Sequence, residues 1–253
     1  MVADIMFVAP GEHGPIWPDT DGVIEAMKLA KANGLDGIEM FGWEDRDPEK
    51  LTKAAEELGL EIVSFLATDG QLMGNPAGMD AFVAGFEASA KAAKNFNCKN
   101  IIVSDDRYDT EISREEVHAA MVEGLKRIAP IAEQEGVTVI VEPLSGKYFQ
   151  DAKEAFDIIK EVGSDNVKLL YDIFHFQAID GNITNPIKEN VDLIGHIHAA
   201  GCPMRCELTV GEINYPFVIE AIKETGYDKY FGLEFFTFAD RENKVAVSAA
   251  LCK

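Results

Sequence analysis

Eight short, almost unbroken apolar runs recur along the chain, each followed by a longer amphipathic stretch, and few architectures accommodate that rhythm. The runs extend from Ile5 to Val8, Gly37 to Phe41, Ile62 to Ala67, Asn100 to Val103, Val137 to Val141, Val167 to Tyr171, Leu193 to Ile197 and Tyr230 to Phe235. They are too short for helices and rich in β-branched residues, so they read as strands buried on both faces, as in a parallel sheet covered by helices. The stretches between them carry helical punctuation. Val23, Ile24, Met27, Leu29 and Ala30 share one side of a helix from Asp21 to Asn33, with Gly34 as its stop. Pro48 opens the next helix and Gly59 closes it. Ser113-Arg114-Glu115-Glu116 is a capping box for a long helix reaching Gln134, in which Pro130 predicts a kink or the last turn. A further helix is expected from Asn214 to Glu224, before Gly226.

Strands that alternate with helices pair in parallel through right-handed crossovers, and eight such units can close into a barrel without a free edge. The 253 residues match the ~250 typical of that fold. An open doubly wound sheet would place a glycine-rich phosphate turn after its first strand, and Val8-Ala9-Pro10-Gly11-Glu12 does not supply one. With no linker, low-complexity segment or sequence repeat, the expectation is an α/β fold, a single (β/α)8 TIM-barrel domain over residues 1–253.

Charge narrows the partners. The formal net charge is −21, from 44 acidic against 23 basic residues, and no Lys/Arg run breaks it. Such a surface repels nucleic acid and anionic membranes. No apolar stretch approaches the ~20 residues of a membrane span, and Met1-Val2-Ala3-Asp4 lacks the layout of a secretory signal. Four cysteines, of which only Cys202 and Cys206 are close in sequence, make no disulfide framework. A cytoplasmic location is expected.

In parallel barrels the reactive groups gather where strands end. Four consecutive strands end in, or carry near their tips, Glu142, Asp172, His198 and Glu234, each inside apolar sequence. Three buried carboxylates in one place repel each other, and a shared proton or a cation relieves them. Three carboxylates with one imidazole form a hard, oxygen-rich ligand set that suits one divalent ion, Mn²⁺ first and Mg²⁺ or Co²⁺ next. Each residue also has a plainer reading. Asp172 fits a helix N-cap equally well. Glu142 is a poor cap and precedes Pro143. His196 and His198 share a strand face, and His196 reads as a core histidine. His175 suits a substrate donor, a brace for the ligands or a surface residue. Cys202 and Cys206 have zinc-like spacing but lack further ligands nearby. Asp105-Asp106-Arg107 reads as a solvated loop within reach of substrate. Trp17 and Trp43 would wall the barrel mouth or simply pack.

The segments Val141-Glu142-Pro143, Tyr171-Asp172-Ile173-Phe174-His175-Phe176-Gln177, Ile194-Gly195-His196-Ile197-His198, Gly211-Glu212-Ile213-Asn214-Tyr215 and Gly232-Leu233-Glu234 resemble the hydroxypyruvate isomerase-like branch of the xylose isomerase-like superfamily, which also holds the ketose 3-epimerases. The resemblance runs through the whole chain and is tightest from Glu142 to Glu234. It implies one metal ion on Glu142, Asp172, His198 and Glu234, with Glu142 and Glu234 as the acid–base pair. It gives His175 and Arg205 to substrate oxygens and Glu39 to a recurring acidic position in the substrate site. The implied activity is isomerisation or epimerisation of a small hydroxy-carbonyl substrate, a sugar or a hydroxypyruvate-like keto-acid, through a cis-enediolate. A homo-oligomer is compatible with it. A metal-dependent lyase or dehydratase acting on a keto-sugar or keto-inositol is the alternative on the same scaffold. An apurinic-site nuclease would need more histidines, and a mere sugar-binding barrel has no use for a paired acid and base. The departures are local: His198 stands where the branch usually has Gln, Gly201 where it has an acid, and Leu208-Thr209-Val210-Gly211 where it has Pro-Gly-Thr-Gly. The segment from Cys202 to Cys206 is also unusual.

Overall fold

A computed structural model of the chain describes residues 2–7, 19–236 and 240–252. Eight strands, β1 (Val2–Phe7), β2 (Gly37–Met40), β3 (Glu61–Leu66), β4 (Asn100–Ser104), β5 (Thr138–Glu142), β6 (Val167–Asp172), β7 (Ile194–Ala199) and β8 (Tyr230–Glu234), pair in parallel in sequence order and close into a barrel. The seam is the β1–β8 pairing. All eight expected runs form strands. Several run further than the apolar residues do, because the ladder continues through polar ones: Ser104 pairs with Glu142, and Asp172 with His198. Val8, the Pro10-Gly11 turn and Trp17 lie outside the described residues.

The helices are α1 (Thr20–Ala32), α2 (Pro48–Leu58), α3 (Met79–Ala93), α4 (Arg114–Glu135), α5 (Ala152–Val162), α6 (Ile173–Ile179), α7 (Thr184–Asn190), α8 (Tyr215–Lys223) and α9 (Arg241–Leu251). Their ends obey the punctuation in the sequence. Asp47 caps α2 by accepting from Lys50 N, Pro48 takes its first turn, and Gly59 ends it at φ 63°. Ser113 and Glu116 form the reciprocal capping box of α4. Pro130 does not end that helix, which runs on to Glu135. Buried Ile128, Ala129 and Ala132 flank the proline, so packing against the barrel outweighs its propensity cost of about 3 kcal/mol.

The strands look uniformly apolar because each faces two dry environments. Outward-facing Ile101, Val103, Val139, Val141, Leu169, Tyr171 and Ile197 belong to the large core beneath the helices. Alternate residues Ile102, Ile140 and Leu170 form a separate small cluster, with Phe41, Leu66 and Phe236 packed on it. By the two-residue period of a strand, this second set fills the barrel interior. The same period carries the inward face one step further, to Ser104, Glu142 and Asp172, directly above the apolar plug. Those residues, with His198 and Glu234, are buried although polar. None of the helices among the described residues is long and apolar enough to cross a membrane.

Candidate active site

Above the plug, one ligand atom each from Glu142, Asp172, His198 and Glu234 comes within 4.8 Å of all the others. The four expected metal ligands therefore converge, from β5, β6, β7 and β8. Two of them, Glu142 and Glu234, line the wall of a cavity of about 710 Å³, together with His175 and Arg205. Phe41, Leu66, Leu144 and Phe236 give the same wall an apolar part.

Asp172 is both of the things its sequence allowed. One carboxylate oxygen caps α6 by accepting from Phe174 N at 2.8 Å, while the other faces the cluster, 3.1 Å from Arg205 Nη2. Arg205 reaches in from the loop after β7 and also bonds Glu234. Its other guanidinium nitrogen lies 2.9 Å from His175 Nε2. His175 Nδ1 accepts from the backbone N–H of Ser145 at 3.1 Å and lies 3.0 Å from Ser145 Oγ. Phe174 stacks under the guanidinium, 4.7 Å away. Holding it there requires a backbone conformation at φ 46° for Arg205, in the left-handed region that costs a non-glycine residue about 1 kcal/mol or more.

The loop that carries Arg205 also accounts for the unusual cysteines. Gly201 and Cys206 exchange backbone hydrogen bonds at 2.7 and 3.1 Å, closing a tight turn. A side chain at Gly201 would place its Cβ 2.3 Å from Val210 O, so the acidic residue typical of the branch has no room here. Cys202 and Cys206 are both buried. Among the described residues they join no cluster of metal-ligating groups, and the zinc spacing serves the turn instead.

Electrostatics divides the two glutamates. Burial and the charge of Glu234 push the Glu142 carboxyl up, against the opposing pull of His198 and His175. Burial would raise Glu234 too, but Arg205 and then His198 overcome it and hold that carboxyl at about 2. Burial pulls the His198 imidazole toward neutrality, and Glu39 and Glu234 outweigh it, raising its proton affinity well above that of an ordinary histidine. Arg205 thus supplies part of the positive charge that three carboxylates require. No ion pair joins it to Glu142 among the described residues; that carboxylate has His198 Nδ1 at 3.8 Å and His175 Nε2 at 3.9 Å.

The residues present fit a divalent cation. The donor set is three carboxylates and an imidazole, the hard set expected from the sequence. His198 Nδ1 is buried and finds no aligned hydrogen bond, although Glu234 Oε2 is only 2.9 Å away. A buried nitrogen without a partner is costly, and an ion among these four groups would engage it.

Glu39, which the resemblance assigned to the substrate site, is buried on β2 beside His198 and, like Asp172 and His198, is not among the residues lining the described cavity. Its Oε1 is 2.9 Å from His196 Nε2 and 3.2 Å from His198 Nε2, and its other oxygen accepts from Ser64. Burial would raise its carboxyl, and His196 and His198 together hold it well below the ordinary value.

The loop after β4 contributes more than a solvated surface. Asp106 and Arg107 line the cavity. Asp105 is buried and accepts from Leu144 N and Tyr148 N at 2.9 and 2.8 Å, pinning the loop that follows Glu142. Burial pushes its carboxyl up to about 6. The sequence hinted at this only through an acid directly after an apolar strand. Trp43 is a packing residue whose indole N–H donates to Ser89 Oγ at 3.1 Å.

Comparison with known proteins agrees with this geometry. Residues 27–253 match the family described as xylose isomerase-like TIM barrel. The 2-oxo-tetronate isomerase of Cupriavidus necator is 30% identical, over 84% of this chain and 86% of its own. The hydroxypyruvate isomerase of Escherichia coli is 28% identical, over 80% of this chain and 83% of its own. Among solved structures, D-psicose 3-epimerase with D-tagatose from Clostridium cellulolyticum superposes with a TM-score of 0.82 at 20% identity, covering 99% of this chain and 96% of that one.

Proposed function

The chain belongs to the xylose isomerase-like TIM-barrel family, and from that premise we propose that it is an isomerase or epimerase of a small hydroxy-carbonyl substrate, a sugar or a keto-acid. The observation that carries this reading is the convergence of Glu142, Asp172, His198 and Glu234 within 4.8 Å, with Glu142 and Glu234 on the cavity wall. The named activities of the relatives support the reaction class. A divalent cation on those four side chains, Mn²⁺ first and Mg²⁺ or Co²⁺ next, would supply Lewis-acid polarisation of the substrate carbonyl.

The protein's own groups then have separable tasks. Glu142 and Glu234 are the acid–base pair. Their proton affinities are pushed in opposite directions, which is how one site keeps an acid and a base ready together. In one direction Glu234 removes the proton beside the carbonyl, leaving a cis-enediolate, and Glu142 delivers a proton. In the other direction the roles exchange. Delivery to the neighbouring carbon isomerises; delivery to the opposite face of the same carbon epimerises. Arg205 and His175, already in contact at 2.9 Å, offset the negative charge that develops on the enediolate oxygens. The apolar wall from Phe41, Leu66 and Phe236 restricts water around that intermediate.

Incubation with a panel of ketoses and keto-acids in heavy water tests the reading. Uptake of deuterium at the carbon beside the carbonyl, with an isomer or epimer of unchanged mass formula as product, is the expected result. A product lighter by water, or two fragments, would replace the isomerase with a lyase or dehydratase. No exchange with any member of the panel in the Mn²⁺-loaded protein would end the proposal.

A further inference from the structure

His198 stands between two acidic groups. Glu39 lies on one side of the ring, against Nε2, and Glu142 and Glu234 lie on the other, against Nδ1. An imidazole can offer only one bare nitrogen, and the nitrogen that keeps its proton is decided by whichever acceptor is better aligned. Nε2 has Glu39 at 3.2 and 3.3 Å, both within hydrogen-bond geometry. Nδ1 makes no aligned hydrogen bond, although Glu234 Oε2 lies 2.9 Å from it.

We propose that Glu39 is a positioning residue, fixing His198 so that Nε2 keeps its proton and Nδ1 faces Glu142, Asp172 and Glu234. The inference rests on the reading of those four residues as a metal site, and it gives Glu39 a task within that site that does not involve touching substrate. A carboxylate accepting from the far nitrogen orients the ring and makes the near nitrogen a stronger ligand.

The surroundings of Glu39 are built for this. The carboxylate is braced by two further donors, His196 Nε2 at 2.9 Å and the hydroxyl of Ser64. These come from β7 and β3, so three strands hold one side chain still. His196 thereby has a purpose beyond packing. Its ring meets that of His198 edge to face, with centroids 4.8 Å apart, and its Nε2 locks the acceptor that His198 depends on. From β4, β5 and β6 the interior is filled by Ile102, Ile140 and Leu170. Aliphatic residues in place of Glu39, Ser64 and His196 would avoid the desolvation of a buried charge. A costly polar cluster contributed by β2, β3 and β7, in contact with the ligand histidine, is explained by what it does to that histidine.

The test uses the full chain and Zn²⁺, a diamagnetic probe. In Glu39→Gln the side chain loses its charge and one of its two accepting oxygens, so the clamp on His198 is weakened. Competition with a chromophoric chelator should show Zn²⁺ affinity reduced roughly 10- to 100-fold in Glu39→Gln. Nitrogen-15 histidine spectra of the Zn²⁺-loaded wild type, assigned with His196→Gln, should show His198 ligated through Nδ1 with a slowly exchanging Nε2 proton. Ligation through Nε2 in the wild type overturns the proposal, and that spectrum decides the matter even if Glu39→Gln does not fold. Folded Glu39→Gln with Zn²⁺ affinity within about twofold of wild type also overturns it, since that is far below the expected loss. A wild type that takes up no divalent ion removes the reading of the four-residue cluster and this inference together, whereas equal affinities remove the inference alone.

Discussion

Two sets of inward residues in the barrel solve the same packing problem in opposite ways. From the adjacent strands β4, β5 and β6 the inward positions below the site are Ile102, Ile140 and Leu170, an apolar plug. From β2, β3 and β7, whose side chains meet across the barrel interior, the buried positions are Glu39, Ser64, His196 and His198, joined by hydrogen bonds. The first set holds the barrel together by removing apolar surface from water. The second satisfies a buried charge with fixed donors, which adds little stability and a great deal of geometric definition. One fold therefore separates the residues that keep it folded from those that orient its chemistry.

Substitutions should separate the two sets in the same way. The largest effect belongs to the groups above the plug. Glu142→Gln or Glu234→Gln should lower turnover on the order of 10³-fold, with a urea midpoint close to wild type. Steady-state rates and denaturation curves on the same preparations check this. Full activity in both variants would show that they are not the acid–base pair. In the plug, Ile140→Ala or Leu170→Ala should cost about 2–5 kcal/mol of stability, read from urea unfolding. Turnover per folded molecule should stay within a few-fold, and a large loss in fully folded protein would mean that the plug shapes the chemistry too.

The smallest expected effect is a pH dependence. In the ion-free protein Glu39 and Glu234 raise the proton affinity of His198 against the effect of burial. A folded state that holds this proton more tightly than the unfolded chain loses that stabilisation as pH rises through the raised value. A divalent ion has to displace the same proton. Its apparent affinity should therefore rise by up to about tenfold per pH unit while His198 remains protonated, and level off above that range. Chelator competition across a pH series measures the slope. A flat profile would show that ligation involves no proton on His198.

Much of this was legible in the sequence, for identifiable reasons. Strand tips in a parallel barrel converge by topology, so Glu142, Asp172, His198 and Glu234 could be brought together from their positions alone. The helix ends were written in single residues such as Asp47, Gly59 and Ser113. What could not be read depends on contacts between distant segments. Glu39 and His196 are 157 positions apart, and only the closed barrel makes them neighbours. Glu39 entered the sequence reading only through the resemblance, and its neighbours Ile38, Met40 and Phe41 do not name the histidines it meets. Arg205 owes its place to a loop held by the Gly201–Cys206 exchange and a left-handed backbone. The repulsion argument for a metal had assumed carboxylates alone, and Arg205 takes up part of that burden at Asp172 and Glu234.

Metal stoichiometry and its dependence on the four side chains bears most directly on the account. The wild-type chain, stripped with a chelator and titrated with Mn²⁺ by paramagnetic resonance, should bind one ion tightly. Asp172→Asn and His198→Ala should each lose most of that affinity while keeping the wild-type circular dichroism. Tight binding that survives both substitutions, or none in the wild type, would contradict the convergence of Glu142, Asp172, His198 and Glu234 on a single cation.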